Sequence, residues 1–452
     1  MSELNEKLDN MLFDVLNDNN TSSEYKYNRI KFLLNMGANS NAVNDEGKFV
    51  LNVAVDSKNI DIVELLISKG SNKDGVDRSK NTPLIKASKN KDVEMVKYLL
   101  KKGCDKNKED NTYSTALMNA SSKGCLKIVE LLCDNRTRFE KTNFTGMTAL
   151  MSATCNGHND VVKYLIEKGA NVNTLSDKLY ISALMYAVQA KSYREMKTLI
   201  ENGADVNYDD REGLTALMKA VINKDKEAVN ILLENGADTN LKDDKNNTAL
   251  HKAVQNGCSE IADLLIEYGA EINAVNNEGE TPLMMAYSNG YEWEVADLET
   301  RGANKKLKNN KDEDLLIMAI KGKNINLIKK AIKAGYDVNR RTLYYEQTPL
   351  MYAGYTGDVE VVKALVESGA KIDMKVGQDK TVSVFDVLIG MNGAREYTGV
   401  VKYLIEKGTK IRPNTVSIAK CSGYGKDVIE AIEKAREKNT QSLWGKFRDF
   451  GM

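Results

Sequence analysis

Histidine is almost missing from this chain, with two in 452 residues, and a histidine-based metal site or a base-assisted nucleophile is hard to build from so few. The six cysteines, Cys104, Cys125, Cys133, Cys155, Cys258 and Cys421, are scattered and form no C-x-x-C pair. That suits reduced thiols in a reducing compartment better than a disulfide framework. Long apolar runs are missing too. The longest is LLIMAI at 315–320, and the opening MSELNEKLDNMLFDVL carries acids where a signal peptide would be apolar. The expectation is a cytoplasmic protein with no membrane segment. Net charge is zero, 64 Lys+Arg against 64 Asp+Glu, so global charge predicts no class of partner.

Phosphate-loop, dinucleotide, nucleophile-elbow and zincin motifs are all absent from the sequence. Cys155 and His158 in CNGH are close neighbours, but no second pair exists to complete four zinc ligands. No catalytic residue, cofactor or metal ligand is assigned, and the chain is read as a non-enzyme.

What the sequence has in abundance is self-similarity. A block of the form T-[PA]-L-[MH]-x-A begins at Thr82, Thr115, Thr148, Ser182, Thr215, Thr248, Thr281 and Thr348, with weaker versions from Phe49, Asp314, Ser383 and Asn414. Successive starts lie 31 to 35 residues apart, most of them 33. Eleven of these twelve starts are residues that cap a helix by accepting an orphaned backbone N–H, Phe49 being the exception. Three of the four prolines, Pro83, Pro282 and Pro349, follow directly, at the first helical position, where a missing donor costs nothing. A small residue comes next on the core side, as at Ala120, Ala153, Ala187, Ala220, Ala253 and Ala286. A second amphipathic helix follows, as in DVVKYLIEKG (160–169), closed by a glycine suited to the left-handed conformation.

These residues resemble the ankyrin repeat family, whose unit of about 33 residues is a turn and two helices with a T-P-L-H-x-A signature. Gly157, Gly257, Gly290 and Gly357 stand at its inter-helix turn, and GANVN (169), GADVN (203), GADTN (236) and GAEIN (269) close the second helix. The resemblance covers roughly residues 37–436. It implies an all-α fold of helix-turn-helix repeats with short β-hairpin tips. About twelve repeats and an N-terminal cap would stack into a curved, elongated solenoid, each burying its apolar face only against neighbours. His251 and the methionines in its place (Met118, Met151, Met185, Met218, Met284, Met351) read as core filling.

The expected organisation is an N-terminal capping repeat at 1–40, an array at 41–410, a last repeat at 411–438 and an aromatic tail at 439–452. In the cap, Leu4, Leu8, Met11, Leu12 and Val15 form one helical face. The tail carries Leu443, Trp444, Phe447 and Phe450, and either folds over the last repeat or docks to another protein. Residues 391–399, MNGAREYTG, read as an enlarged inter-helix turn, and 373–385 as a lengthened tip.

One stretch is set apart by charge. Between Arg301 and Arg341 twelve bases face four acids, an excess that fits either a solvated face or a landing site for an acidic partner. Tyrosines follow it, and tyrosine with arginine is the usual make-up of a binding hot spot. The candidate contact residues are Lys305, Lys306, Lys308, Lys311, Arg340, Arg341, Tyr344, Tyr345, Tyr355 and Trp293. In the helix at 291–302, Glu294, Asp297 and Glu299 replace residues that are apolar in better copies, which predicts weak packing. The expected function is a monomeric scaffold or adaptor, of the kind that serves as effector or regulator, holding a protein partner on its concave face. The alternative is a binder of an acidic ligand or nucleic acid at 301–341.

Overall fold

The computed structural model describes residues 2–134, 136–177, 179–343, 346–375, 382–391 and 394–449, with side chains from residue 4 to 438 apart from residue 394. The described residues form 26 helices and no strand. They cluster into two compact units, 1–238 and 239–452.

Hydroxyl and carboxyl side chains mark where most pairs of helices start. At Thr82, Thr115, Thr148, Ser182, Thr215, Thr281, Asp314, Thr348 and Ser383 the side-chain oxygen accepts the backbone N–H three residues on, at 3.2–3.3 Å. Each such cap is worth about 1 kcal/mol. Phe49 has no capping side chain, as expected. Asn414 does not cap, against expectation, because its backbone is already near-helical (φ −92°, ψ −1°) rather than extended. The Thr415 side chain accepts the Arg412 N–H ahead of the helix at 3.1 Å, and no side-chain cap forms at this start.

The first helix of a pair is short, as in Pro83–Lys89 or Ala149–Cys155, and the second usually longer, as in Val93–Lys101 or Asn159–Glu167. Within the first unit Ala87, Ala120, Ala153, Ala187 and Ala220 are wholly buried; Ala253, Ala286, Ala319 and Ala353 are their equivalents in the second. With only a methyl group there, neighbouring backbones approach closely and larger side chains pack around the contact. The methionines fill the core as expected, none more than 3% exposed at Met118, Met151, Met185, Met218, Met284 and Met351.

Between pairs the chain turns through tips closed largely by side chains. Asp110 Oδ1 accepts the N–H groups of Thr112 (2.8 Å) and Ser114 (3.0 Å), and Asp210 and Asn276 repeat the pattern. Antiparallel bridges close three tips, Val43 to Phe49, Leu175 to Ser182 and Asp209 to Thr215. Longer ladders do not form among the described residues, because aspartate and asparagine oxygens take the donors a ladder would use. Single backbone bonds then tie one tip to the next, as from Asn111 N–H to Ser79 O at 2.9 Å or from Asn310 N–H to Glu278 O at 2.9 Å.

The inter-helix turn requires a left-handed residue, supplied by Gly157 (φ +71°) in one copy but by lysine in others, for example Lys191 (φ +54°). Gly322 needs to be glycine for another reason. Its φ is ordinary (−73°), but a Cβ would stand 2.5 Å from the carbonyl oxygen of Tyr287 and 3.0 Å from that of Ser288. Gly322→Ala is expected to destabilise the second unit by about 1–3 kcal/mol through overpacking. Gly390→Ala, whose Cβ would meet nothing within 4 Å, should be neutral or stabilising. Equal urea midpoints for the two variants would contradict this account.

At the N-terminus two longer helices, Ser2–Asn17 and Ser23–Asn35, precede the first pair. The buried stripe of the first is Leu8, Leu12, Phe13 and Leu16, whereas Leu4 and Met11 are exposed. The core-facing ridge thus follows the i, i+4 row rather than the broader face read from sequence. Residues 394–399, expected in a turn, open the helix Ala394–Glu406, in keeping with their helix-forming Ala-Arg-Glu start. Residues 376–381 of the long tip lie outside those described. The last helix, Lys426–Asp449, crosses residue 439 without a break. The side chains of Leu443, Trp444, Phe447 and Phe450 lie outside those described.

No disulfide links the cysteines. Burial pushes Cys104 up to about 12 and Cys133 up to about 11, so neither is a thiolate at neutral pH. No helix among the described residues is long and apolar enough to cross a membrane.

Candidate partner-binding cleft

The tip at 304–313 is built by its asparagine. Asn309 Oδ1 accepts the N–H groups of Lys311 (3.0 Å) and Glu313 (2.9 Å), and its Nδ2 donates to Glu313 Oε2 at 2.6 Å. Asp312 takes the left-handed place of the turn (φ +59°). Asp314 then caps the helix Leu315–Lys321, accepting the Ile317 N–H at 3.2 Å.

One repeat later the tip at 336–343 sends Arg340 into this first tip. Its guanidinium lies 2.7 Å from Asp314 Oδ2 and 2.5 Å from Asp312 Oδ2, and it also donates to the Asp312 carbonyl. Lys308 reaches Asp312 from the other side at 2.8 Å. The Arg340 side chain is 13% exposed and those of Asp312 and Asp314 are 8% and 7%. Burial pushes the Asp312 carboxyl up, but the hydrogen bond from Lys308 and the charge of Arg340 outweigh it and hold it below the usual carboxylate range. Glu313 behaves alike: burial opposes ionisation, and Lys321 at 2.5 Å prevails.

A cleft of about 620 Å³ opens between the two tips. Lys305, Lys306 and Lys308 line it from the first tip, Arg340, Arg341 and Asp337 from the second, with Asp314, Ala334, Gly335 and Tyr336 completing the wall. Tyr336 is half-buried and donates its hydroxyl to the Lys305 carbonyl. Burial first, then the charges of Asp314 and Glu299, push its phenol up to about 12, so it stays a neutral donor. Arg341 donates to the Lys375 carbonyl at 2.8 Å and lies 3.5 Å from Glu346.

Five of the ten candidate contact residues therefore meet in one place: Lys305, Lys306, Lys308, Arg340 and Arg341. Arg340 and Lys308 are committed to internal carboxylates there. Lys311 is exposed on the first tip but outside the cleft wall. Tyr355 packs edge-to-face on Tyr352, ring centres 6.5 Å apart, and accepts a hydrogen bond from Gln347. Trp293 is 56% exposed on the helix Glu292–Thr300, away from the cleft wall. Tyr344 and Tyr345 lie outside the described residues. Among the described residues at least six of the twelve bases at 301–341 are ion-paired: Arg301, Lys308, Lys321, Lys330, Arg340 and Arg341.

Sequence reading passed over Tyr336, Asp337 and Ala334. The signal for Tyr336 was present, because GYDVN (335–339) puts tyrosine where GANVN, GADVN, GADTN and GAEIN have alanine.

The helix Glu292–Thr300 buries only Val295 and Leu298, where Asn159–Glu167 buries Val161, Val162 and Leu165. Its acids are nonetheless partnered. Glu294 accepts from Ser259 (2.8 Å), Asp297 pairs with Arg301 (2.9 Å), and Glu299 accepts from Tyr287 (2.8 Å) and pairs with Lys330 (3.0 Å). Polar pairing here replaces part of the apolar packing.

Both histidines are structural. His158 Nε2 lies 3.1 Å from the Ser122 carbonyl, an acceptor only, so that nitrogen carries the proton. Wholly buried His251 accepts the Thr248 N–H on Nδ1 (3.1 Å) and donates from Nε2 to the Glu280 carbonyl (3.1 Å). No group of three or more His, Cys, Asp or Glu among the described residues could hold a metal ion.

Comparison with known proteins agrees with the helix pairs, caps and turns. A family model described as ankyrin repeats in three copies matches residues 21–110, 104–176, 173–243 and 294–376, and one described as ankyrin repeats in many copies matches 232–286. The Caenorhabditis elegans Dauer abnormal formation protein 25 is 37% identical over 67 residues, 15% of this chain and 17% of that protein. The BRCA1-associated RING domain protein 1 of the same organism is 33% identical over 99 residues, 22% of this chain and 13% of that protein. The chain spans less than a fifth of the length of either relative, so the likeness lies in the repeats. On its family-model matches, its repeated capped helix pairs and its tips, the chain belongs to the ankyrin repeat family.

Proposed function

We propose that the chain is a non-enzymatic interaction scaffold that holds a protein partner on the surface formed by its tips and first helices. Ankyrin repeats are in general protein-interaction modules. The observation that carries the reading is that both histidines and several buried carboxylates among the described residues serve the repeats. His158 and His251 are tied to carbonyl groups, and Asp110, Asp210 and Asp312 are tied to turns and lysines. What remains for function is the outer surface, and the cleft of the second unit gathers half of the candidate contact residues. Internal pairing of at least half of the basic stretch weighs against a nucleic-acid role, which needs cations turned to a phosphate chain.

Proteins captured on the immobilised full chain, after nuclease treatment, would be purified and titrated back against it. The expected result is at least one protein that binds directly and saturably. Capture of material that nuclease releases, with no purified protein binding, would overturn the reading.

A further inference from the structure

We infer that the cleft between the tips at 304–313 and 336–343 is a docking site for an acidic peptide segment of the partner. This rests on the scaffold reading and adds the partner's chemistry to it.

Size comes first. A volume of about 620 Å³ falls in the range, about 300–1,000 Å³, of pockets that enclose several groups of a ligand. A lone phosphate, with four oxygens of roughly a water's volume each (about 30 Å³), would leave most of it unfilled.

Charge comes next. Of the five cationic side chains in the wall, Arg340 and Lys308 neutralise Asp312 and Asp314. Lys305 and Lys306 are exposed on the first tip, with no ion pair to either among the described residues. Arg341 stands on the opposite tip. It spends one nitrogen on the Lys375 carbonyl and keeps another 3.5 Å from Glu346, a loose pair at the partly exposed rim that leaves guanidinium donors for a second carboxylate. Two tips thus each offer positive charge to one bound chain.

The carboxylate in the wall separates the two main classes of acidic ligand. Asp337 is exposed, accepting the Asn339 N–H at 2.8 Å. A phosphate chain carries charge at every unit and would meet that carboxylate with repulsion. A peptide alternates acidic side chains with backbone N–H donors, and can give Asp337 a donor while giving Lys305, Lys306 and Arg341 carboxylates.

The site is also held in shape before any ligand arrives. Tyr336 anchors the Lys305 carbonyl, Asn304 Oδ1 accepts the Lys306 N–H at 2.9 Å, and Arg340 locks one tip to the other. A rigid rim loses less entropy on binding. No other glycine-stopped repeat end of the sequence has tyrosine after its glycine, so this cleft differs in construction from its neighbours.

The test is fluorescence anisotropy of a labelled ten-residue glutamate peptide titrated with the full chain, with a ten-residue glutamine peptide as control. The glutamate peptide should bind and the glutamine peptide should not. Lys305→Glu with Arg341→Glu should weaken binding about tenfold or more, as removal of central contacts does. Ala334→Trp, which fills the cleft without changing charge, should do the same. Lys163→Glu with Lys197→Glu, in a separate basic pocket of the first unit, should leave affinity within about twofold. Unchanged far-ultraviolet circular dichroism certifies the fold of each variant.

Equal losses at the first-unit pocket, or full binding by Ala334→Trp, would overturn the inference, because the charge would then act diffusely. So would tighter binding of a single-stranded oligonucleotide, or displacement of the peptide by inorganic phosphate at matched charge. If the peptide fails while a purified protein still binds the chain, the cleft inference falls and the scaffold reading stands. If neither binds, both fall.

Discussion

Replacing Arg340 by methionine is expected to destabilise the second unit by roughly 3 to 5 kcal/mol, the range for stranding buried charge by removing one partner. The guanidinium is the shared counter-ion of Asp312 and Asp314, whose side chains are only 8% and 7% exposed. It also satisfies the Asp312 carbonyl. Methionine matches the length of the stem but returns none of this. Arg340→Lys should fall between the two, since one ammonium cannot reproduce the planar fork that meets both acids. Adding Asp312→Asn and Asp314→Asn to Arg340→Met should recover much of the loss, because no uncompensated charge remains and asparagine still caps the helix.

The pH dependence has a definite sign. Asp312 has its folded pKa below the unfolded value, so its share of stability is present above about pH 4 and is lost as pH falls through the folded value. In Arg340→Met only the Lys308 contribution to that share is left, and protonation relieves the charge that Arg340 no longer balances. The gap between wild type and variant should be widest at neutral pH and narrow below about pH 4. Urea unfolding of the full chain at pH 7 and at about pH 3 measures it. A gap that is the same at both would show that Arg340 acts by packing alone.

The second large effect is expected at His251. Burial lowers its pKa to about 4, against the bond to the Glu280 carbonyl, which favours the protonated ring, and with help from the charges of Lys242 and Lys252. The folded value is depressed, so the neutral ring is the stable form. The unfolded chain takes up a proton near pH 6.5 and the folded chain does not until about pH 4. Stability should be full above the unfolded value and decline between them, by on the order of 3 kcal/mol at about 1.4 kcal/mol per pH unit.

His251→Met should remove this acid-sensitive component. It should cost little at pH 7, because six other copies have methionine there and Met151 Sδ accepts the Thr148 N–H at 3.4 Å, as His251 Nδ1 accepts that of Thr248. His251→Ala leaves the Thr248 N–H and the Glu280 carbonyl without partners and opens a cavity, and should cost about 2–4 kcal/mol. Equal pH profiles for wild type and His251→Met would refute the linkage.

These two residues show how differently the sequence exposed its features. His251 was legible as core filling from its place in the motif, because the motif repeats and its other occupants are apolar. The tautomer was not, since it depends on the Glu280 carbonyl 29 residues away. Arg340 was legible only as one charge in a basic stretch. That it is spent on Asp312 and Asp314 follows from bonds spanning 28 and 26 residues, which no local pattern encodes. Counting charge placed Lys305 and Arg340 in one class, and burial separates them. Tyr336 was visible as a departure from an alanine, but its use in anchoring Lys305 appears only when the tips stand side by side.

The sequence by itself determined the repeat, the pairing of short helices and most of their caps and turns, because each is set by contacts within about four residues. A capping threonine needs only the amide three positions on, and a left-handed glycine needs only its missing Cβ. Tertiary structure alone decided which charges cancel, which aromatic rings pack and where a cleft opens. Those outcomes depend on distance and burial between residues a full repeat apart, and the attraction of two charges grows several-fold when water is removed from between them.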